Sequence, residues 1–488
     1  MFCFRPPLNY NKTRGGKMSK QIFNPYLPGF EYIPDGEPHV FGDRVYVYGS
    51  HDKFNGKTFC MNDYVTWSAP VNDLKDWRYE GVIWKKADDP NYKGRGSMYA
   101  PDVCLAPDGK YYIYYAFAPG ITRKSWAIRC AVADSPTGPF KYHGEVNLYP
   151  YSKQFLPFDP AVYVEDGRVW LYYGSAMFFP VLGVSKKKIM GGAVVELDPK
   201  DMLTVMGKPK QTLPVGGEGI GKHGFFEASS MRKIKDKYYF VYSSTIGHEL
   251  CYATGDKPDG PFKFGGTIVS IGDIGLGKHK NVKTASNYTG NTHGGILEVN
   301  GKYYIFYHRQ TNLHCYSRQD CAEEIEIAAD GSIKQVEVTS CGLNGKPLEA
   351  KGKYEARIAC NLWSKKGCRF YGGLFKSPKG CHPYFTQSGA DRENNPDQYI
   401  SNFGDGATAG FKYFEFDGAN KISVEVCGKA NGVMTVTDGV DTLAEIDIKP
   451  CKTNTVYSAK LNVENGVKPL YFTYRGKGKL DFKSVSFE

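Results

Sequence analysis

The stretch Pro157-Phe-Asp-Pro-Ala-Val-Tyr-Val-Glu-Asp-Gly-Arg-Val-Trp-Leu-Tyr-Tyr-Gly-Ser175 contains a pattern that recurs along the chain. A β-branched run at 161–164 is followed by an acidic turn that ends in Gly167, and residues 168–173 alternate large apolar and aromatic side chains. This order predicts a β-hairpin. Asp159 stands just before the first strand of the hairpin, outside the apolar alternation.

Four other segments can be aligned with this hairpin, and every copy begins with a titratable side chain. The leading residues are Asp35, Asp102, Asp159, Glu227 and His293. They recur at about 57 to 68 residues, the length of one four-stranded blade with its loops, and such a period predicts a β-propeller. Since the inner strands of all blades begin at one face of the central channel, we expect the five side chains to surround one pocket.

Length and composition limit the classes of protein that are possible. A chain of 488 residues suits one large domain and a smaller one, and 36 Tyr, 29 Phe and 56 Gly are typical of a β-rich protein. The net charge is +11, but the basic residues are spread among acids, so we expect no nucleic-acid partner. No apolar run of about 20 residues is present, so we expect no membrane partner.

Cysteine usage and the N-terminus predict the compartment. The 13 cysteines are odd in number and lack CxxC pairs, which is typical of free thiols in a reducing cytoplasm. The first seventeen residues are basic and carry no apolar run that could form a signal-peptide core. We therefore expect a cytoplasmic protein in which residues 1–21 are a disordered or non-native leader, with Met18 as an alternative start.

The repeat is lost after Pro347, which predicts a change of domain. From about Tyr354 the sequence consists of short alternating strands at the spacing of a β-sandwich. The predicted fold class is all-β: a five-bladed β-propeller at 22–345, followed by a jelly-roll-like β-sandwich at 354–488.

Two or three carboxyl groups at the mouth of a rigid scaffold are what the hydrolysis of a glycosidic bond requires. One acid protonates the leaving oxygen, and a base deprotonates water on the other face of the sugar. A third carboxylate can raise the pKa of the acid by like-charge repulsion. A single Asp before a strand is more often a turn cap, so it is the set of five aligned positions that favours this chemistry.

Phe158-Asp-Pro-Ala-Val-Tyr, Tyr99-Ala-Pro-Asp-Val, Pro34-Asp35 and Phe226-Glu227 resemble glycoside hydrolase family 43 over roughly residues 22–345. The resemblance implies an inverting enzyme on arabinose- and xylose-containing polysaccharides. Asp35 would be the general base, Asp159 the residue that tunes and orients the acid, and Glu227 the general acid. Glu37 is an alternative base, because Asp35-Gly-Glu37-Pro departs from the Asp-Pro of the family; Asp35 keeps the register of the repeat.

The expected binding residues follow from the same resemblance. Substrate contacts are expected from His51, Asp102, Phe226, His293 and Arg309. His293 matches a central histidine that in some family members lies near calcium or a water cluster. The C-terminal strands resemble a family 6 carbohydrate-binding module, which would place Glu355 and Asp481 near a structural Ca²⁺. The chemistry itself is expected to need no cofactor.

The predicted function is the removal of terminal pentoses from arabinoxylan- or arabinan-derived oligosaccharides by an α-L-arabinofuranosidase or a β-D-xylosidase. Two alternatives stay open: a non-catalytic glycan-binding propeller, and an endo-acting arabinanase or xylanase. Fructan- and sucrose-cleaving propellers are disfavoured, because Phe158 precedes Asp159 and Ala228 follows Glu227 where those enzymes carry Arg-Asp-Pro and Glu-Cys.

Overall fold

The computed structural model describes residues 20–118, 126–177, 189–372, 376–378, 380–393 and 397–488. These residues form β-strands and loops, and the predicted all-β fold is confirmed. Short 3-10 helices occur at Lys86–Asp88, Tyr149–Tyr151, Val282–Thr284, Gly342–Asn344 and Ala356–Ile358. Of the predicted leader at 1–21, residues 1–19 lie outside the described residues.

Residues 37–325 form five successive antiparallel sheets, each built from consecutive strands. The first contains β1 (Glu37–Phe41), β2 (Arg44–Tyr48), β3 (Tyr64–Pro70) and β4 (Arg78–Trp84). The second contains β5 (Ser97–Leu105), β6 (Tyr111–Ala118), β7 (Ala127–Ala133) and β8 (Lys141–Val146). The third contains β9 (Ala161–Glu165), β10 (Arg168–Tyr173), β11 (Ala193–Leu197) and β12 (Val205–Gln211). The fourth contains β13 (Phe225–Ile234), β14 (Lys237–Ser244), β15 (Glu249–Gly255) and β16 (Lys263–Ser270), and the fifth β17 (Ile296–Val299), β18 (Lys302–Gln310) and β19 (Arg318–Ile325).

The hairpin predicted from the starting stretch is present as β9 and β10. Glu165 pairs with Arg168, which leaves a two-residue loop. Asp166 and Gly167 both have positive φ, 50° and 73°, as a type I′ turn requires. The Asp-Gly pair therefore sets the register of this hairpin.

The first strands of the five sheets follow one another around a ring. β1 contacts β5 and β17, and β9 contacts β5 and β13. Between β13 and β17, Arg232 Nε donates to Ile296 O at 2.9 Å, and Gly36, just before β1, forms a parallel bridge with Gly294. Because the first strands are neighbours, the residues that precede them converge although they are far apart in sequence.

The N-terminal segment crosses to the fifth sheet. The Asn24 side chain donates to Ala322 O at 2.9 Å and accepts from Ala322 N at 3.0 Å. After β19 the chain turns at Asp330 and Gly331, where Ile327 forms an antiparallel bridge with Ile333, and Val336 then bridges in parallel to Val269 of β16. The chain thus runs along the outer strand of the fourth sheet, and the fifth sheet has three strands.

Residues 348–488, here called the C-terminal region, form two six-stranded sheets. One contains β20 (Leu348–Glu349), β22 (Asn361–Trp363), β25 (Thr408–Phe416), β27 (Asn431–Thr437), β28 (Thr442–Ile448) and β30 (Gly466–Lys477). The other contains β21 (Gly352–Glu355), β23 (Tyr384–Gln387), β24 (Gln398–Phe403), β26 (Lys421–Gly428), β29 (Cys451–Lys460) and β31 (Leu480–Phe487). Phe411 and Phe472 of the first sheet pack against Phe482 of the second, with ring centroids 6.2 and 5.5 Å apart. The two sheets therefore share one core.

Candidate active site

Asp35 is a buried carboxylate held by cationic partners. Its φ of 62° is in the left-handed region, directly before β1. Arg318 Nη1 donates to Asp35 Oδ1 at 2.8 Å, and His308 Nδ1 lies 3.2 Å from the same oxygen. Both partners lie on strands of the fifth sheet, whereas Asp35 precedes the first sheet. The two ends of the five-sheet region therefore meet at Asp35.

Arg318 is itself fixed by a second carboxylate. Its Nε and Nη2 donate to the two oxygens of Asp52 at 2.8 and 3.0 Å, a bidentate geometry. Burial alone would raise the pKa of Asp35, but the charge of Arg318 and the hydrogen bond with His308 hold it far below its usual range. Asp35 is therefore ionised at neutral pH.

Asp159 lies before β9 with a φ of 44°. Its Oδ2 accepts a hydrogen bond from the backbone N–H of Ala228 at 3.1 Å, and His293 Nδ1 lies 3.6 Å from the same oxygen. Burial raises the pKa of Asp159 above its usual range, although the neighbouring His293 opposes the shift. Asp159 thus ties the start of the third sheet to that of the fourth.

Glu227 lies in an irregular part of β13. The pairing of β13 with β14 shifts register on both sides of Glu227, and Ala228 has a φ of 69°. Such a bulge redirects the side chains around it. Ser175 Oγ donates to Glu227 Oε2 at 3.3 Å. Burial, followed by the charge of nearby Asp159, raises the pKa of Glu227 well above its usual range and so favours its protonated form.

The side chain of His293 lies between Asp159 and Glu37. His293 Nε2 is 3.7 Å from Glu37 Oε1, opposite the contact of Nδ1 with Asp159. Burial would lower the pKa of His293, but Glu37, Asp159 and Asp35 outweigh it and raise the pKa to about 9. Glu37 is fully buried and its Oε2 accepts from Ser230 Oγ at 3.0 Å and from Arg232 Nη2 at 2.9 Å. These bonds engage one oxygen of the Glu37 carboxylate with protein groups.

Two of the expected substrate contacts, Phe226 and His293, lie with the acid cluster, whereas Asp102 is engaged elsewhere. One oxygen of Asp102 is 2.6 Å from His39 Nε2, and the other accepts from Val162 N at 2.7 Å. Phe226 is half-buried beside Glu227, and its carbonyl accepts from Ala176 N. Asp102 is therefore a link between the second and third sheets.

His51 is engaged by protein groups on both ring nitrogens. Nδ1 lies 2.6 Å from Asp63 O, and Nε2 lies 3.2 Å from Glu31 Oε1 and 2.8 Å from Arg392 Nη1. Arg392 belongs to the C-terminal region. His51 thus contributes to the contact between the two regions.

Arg309 faces the C-terminal region. It donates to Ala359 O and to Gln319 Oε1, both at 3.1 Å, and its guanidinium lies 4.0 Å from the centre of the Phe385 ring. The arginine that reaches the acid cluster is Arg318, on the neighbouring strand. Sequence reasoning missed Arg318, His308, Asp52 and Ser175, because none of them begins a copy of the repeat.

Potential metal ligands group in two places among the described residues: Glu37 with His39 and Asp102, and His223 with Glu249 and Cys251. Neither group includes the residues expected to bind calcium. Glu355 is paired instead with Arg357 at 2.6 Å, and Asp481 accepts from Ser401 Oγ at 2.8 Å.

The donor set near His293 fits calcium poorly. Ca²⁺ takes roughly six to eight oxygen ligands. Here Glu37 Oε1, His293 Nε2 and the neighbouring Thr292 Oγ1 are among the buried atoms without a hydrogen-bond partner, and the guanidinium of Arg232 lies beside the Glu37 carboxylate. In the second group, Glu249 already accepts hydrogen bonds from Ser244, His223 and Thr267.

A carboxyl group with a lowered pKa, Asp35, near two with raised pKa values, Asp159 and Glu227, is an arrangement that suits the hydrolysis of a glycosidic bond. The residues that carry it lie within a segment, 23–333, that matches the family model described as glycosyl hydrolases family 43. The chain belongs to this family, and the resemblance stated from the sequence is confirmed at that level.

Relatives with assigned activities cover the whole chain or its five-sheet region. The chain is 46% identical over 482 residues to a xylosidase/arabinosidase of Thermoclostridium stercorarium, covering 96% of this chain and 99% of the relative. It is 31% identical over 346 residues to a xylosidase/arabinosidase of Bacteroides ovatus, covering 64% of this chain and 97% of the relative.

Solved structures show the same fold. A family 43 β-xylosidase/α-arabinofuranosidase from a compost microbial metagenome, in complex with xylotriose and in a calcium-free form, is 29% identical with a TM-score of 0.50, covering 63% of this chain and 95% of that chain. A family 43 arabinoxylan arabinofuranohydrolase from Bacillus subtilis, in complex with cellotetraose, covers 95% of this chain and 97% of that chain with a TM-score of 0.50. Its identity is 20%, so this likeness shows the fold alone.

Proposed function

We propose that the protein is an inverting, exo-acting glycoside hydrolase that removes terminal pentoses from arabinose- and xylose-containing oligosaccharides. The proposal is carried by two neighbouring carboxyl groups whose surroundings shift their pKa values in opposite directions, upward at Glu227 and downward at Asp35 beside Arg318, which suits one to act as the acid and the other as the base. A binding module that only holds glycans has no need of this pair.

In the proposed reaction Glu227 gives its proton to the glycosidic oxygen while the bond from this oxygen to the anomeric carbon breaks. Asp35 accepts a proton from a water molecule whose oxygen bonds to the anomeric carbon from the opposite face, so the configuration inverts. This arrangement needs the two carboxyl groups about 6.5–9.5 Å apart. Asp159 supports the acid, because it binds the N–H of Ala228 and its proximity raises the pKa of Glu227.

The substrate proposal follows the relatives. Both are named xylosidase/arabinosidase, and the more similar one matches almost the full length of the chain. We propose that this protein likewise acts on terminal β-D-xylose and α-L-arabinofuranose of arabinoxylan- or arabinan-derived oligosaccharides. Next to Asp159, Phe158 lies 5.2 Å, between ring centroids, from both Tyr99 and Trp126. Aromatic faces of this kind suit the apolar face of a pentose.

The architecture proposed with this function is a five-bladed propeller at 22–345, whose blades are the five sheets, and a C-terminal β-sandwich at 354–488 of the carbohydrate-binding-module type. The ring of first strands supports the former, and the core between two six-stranded sheets supports the latter. A cytoplasmic location is proposed from the free thiols among the described cysteines. No helix of the described residues is long and apolar enough to cross a membrane.

The test uses nitrophenyl β-D-xylopyranoside and α-L-arabinofuranoside together with ¹H NMR of xylo-oligosaccharide hydrolysis. We expect both aryl glycosides to be cleaved, and α-xylose to be the first product released from a β-linked chain end. First release of β-xylose would contradict inversion. Products longer than a monosaccharide from internal cleavage would favour an endo-acting enzyme, and binding without cleavage would favour a glycan-binding propeller.

A further inference from the structure

Asp391, in the C-terminal region, accepts two hydrogen bonds from a single loop of the first sheet. Its Oδ1 accepts from Phe54 N at 2.6 Å, and its Oδ2 accepts from Asn62 Nδ2 at 3.1 Å. This loop, residues 51–62, joins β2 to β3 and contains no strand. Its conformation therefore depends on side-chain contacts, and one carboxylate bridges positions near both of its ends.

The same loop carries the residue that fixes Arg318. Asn62 Nδ2, the donor to Asp391, also donates to the backbone oxygen of Asp52 at 3.0 Å. Within the loop, Cys60 N donates to Asp52 Oδ1 at 3.0 Å. Asp52 is fully buried and holds Arg318 in the bidentate pair already described. A continuous chain of hydrogen bonds therefore connects Asp391, through the loop, to Arg318 and Asp35.

Arg392 makes a second anchor beside the first. It forms an ion pair with Glu31, whose side chain has no exposed surface, and its Nη1 lies 2.8 Å from His51 Nε2. His51 is the first residue of the loop. Burial would raise the pKa of Glu31, but His51 and Arg392 lower it below its usual range, so the anchor is an ionised carboxylate with a cationic partner.

We infer that Asp391 is a positioning residue for the hydrolytic reaction: the C-terminal region, through Asp391, holds loop 51–62 and thereby keeps Arg318 against the base. The inference rests on the proposed role of Asp35. It assigns the C-terminal region a part in the chemistry that is independent of any glycan it binds.

The charged neighbours of Asp35 determine how its pKa would change if loop 51–62 no longer held Arg318 in place. Its cationic or basic neighbours are Arg318, His308 and His293, its acidic neighbours are Asp159, Glu227 and Asp320, and its neutral ones are Cys60 and Tyr64. Arg318 is the only permanent cation in this set. When Arg318 loses its fixed position, the pKa of Asp35 therefore rises.

The experiment measures kcat and KM of Asp391→Ala for nitrophenyl β-D-xylopyranoside across pH. We expect kcat to fall by about ten- to a hundredfold, since small misplacements of catalytic groups have effects of this size. KM should change much less. The acidic limb of kcat/KM should move to higher pH, because activity requires ionised Asp35. Asn62→Ala should act similarly, and the double variant should be no worse than the more impaired single variant.

Lys412→Met is the matched control. Lys412 also belongs to the C-terminal region, and its Nζ forms an ion pair at 3.2 Å with Oδ2 of Asp273, which lies in the five-sheet region. Its ion pairs are thus made outside loop 51–62. We expect this variant to lose thermal stability and to keep the wild-type acidic limb. If Asp391→Ala behaves like Lys412→Met, the positioning role is wrong and Asp391 is only structural.

A further variant separates this inference from the proposed function. Asp35→Asn should abolish hydrolysis. If Asp35→Asn retains activity, the assignment of the base has failed, and the proposed function fails with it. If Asp35→Asn is inactive while the acidic limb of Asp391→Ala is unchanged, the positioning inference alone has failed.

Discussion

Asp35 and Glu227 are chemically similar, neighbouring carboxyl groups, and their surroundings shift their pKa values in opposite directions. Asp35 has Arg318 at 2.8 Å, whereas the one hydrogen-bond donor to Glu227 among the described side chains is Ser175. Arg318 and His308 lower the pKa of Asp35, and no cation of this kind is bonded to Glu227 among the described residues. These partners therefore separate the proposed base from the proposed acid.

Glu227→Ala tests the role of the acid. We expect hydrolysis of xylo-oligosaccharides to fall far more than hydrolysis of activated aryl xylosides, because a good leaving group barely needs a proton. Asp35→Ala should slow both substrates alike. The measurement is kcat/KM for xylobiose and for dinitrophenyl xyloside. Equal losses for both substrates in Glu227→Ala would show that the acid has been misassigned.

The raised pKa of Glu227 also has a cost in stability. The folded protein keeps this proton, while the unfolded chain releases it near the usual pKa of about 4.3, so rising pH stabilises the unfolded state by about 1.4 kcal/mol per pH unit until the folded pKa is reached. Glu227→Gln cannot ionise. We therefore expect it to melt higher than the wild type, by a margin that grows between about pH 5 and pH 7.

Thermal melting at pH 5, 6 and 7 measures this margin, with the exposed Glu218→Gln as the control. The control should melt with the wild type at each pH. A margin for Glu227→Gln that stays constant across this range would mean that Glu227 is already ionised in the folded protein.

The turn before β1 depends on a close approach between a glycine and a buried acid. A Cβ added to Gly36 would lie 2.1 Å from Asp320 Oδ2. Asp320 is fixed by a short hydrogen bond from the Tyr26 hydroxyl, so it cannot move away freely. Gly36 follows Asp35 directly, and any shift of this turn moves the base.

Gly36→Ala should therefore impair activity and stability together. We expect overpacking to lower the free energy of unfolding by about 1–3 kcal/mol. We also expect kcat to fall more than it does in variants on the outer strand β4. Urea unfolding and kcat are the measurements. The effect should be partly relieved when Asp320→Ala is added, and strictly additive effects would exclude this contact as the cause.

The sequence predicted the elements whose signals are local. The hairpin of β9 and β10 follows from Asp166-Gly167 and from period-two alternation, and the leading acids follow from the repeat. Arg318 carries no such signal, because its partners Asp52 and Asp35 lie 266 and 283 residues away along the chain. Asp52 carries none for the same reason. Arg309 and Arg318 are both on strands of the fifth sheet, and only the three-dimensional pairing decides which of them faces Asp35.

At the scale of the whole molecule, the two regions share a hydrophobic core. Ala285, Tyr288, Cys315 and Tyr316 of the chain before residue 348 belong to the same buried cluster as the side chains of the two six-stranded sheets. Together with Arg309 and loop 51–62, these residues form an extended contact surface. The domain boundary near residue 347 stays a prediction, and the shared core could not be predicted from the sequence because the residues that form it are scattered among loops.

A chain that ends at residue 347 would expose this surface. We expect such a fragment to aggregate, or to melt at least about 10 °C below the full chain, because several large apolar side chains would lose their cover. Size-exclusion chromatography and thermal melting are the measurements. A monodisperse fragment with the kcat of the full chain would contradict both this expectation and a contribution of the C-terminal region to activity.

The contact of Asn24 with the fifth sheet has a consequence for biosynthesis. Asn24 leaves the ribosome about 300 residues before Ala322, the residue it binds. Asp35 likewise precedes Arg318 by 283 residues. During translation the first sheet can form early, but its base has no cation until the fifth sheet has emerged. A nascent chain therefore holds its proposed base without the arginine that positions it, and we expect hydrolysis to begin only after the first and fifth sheets have joined.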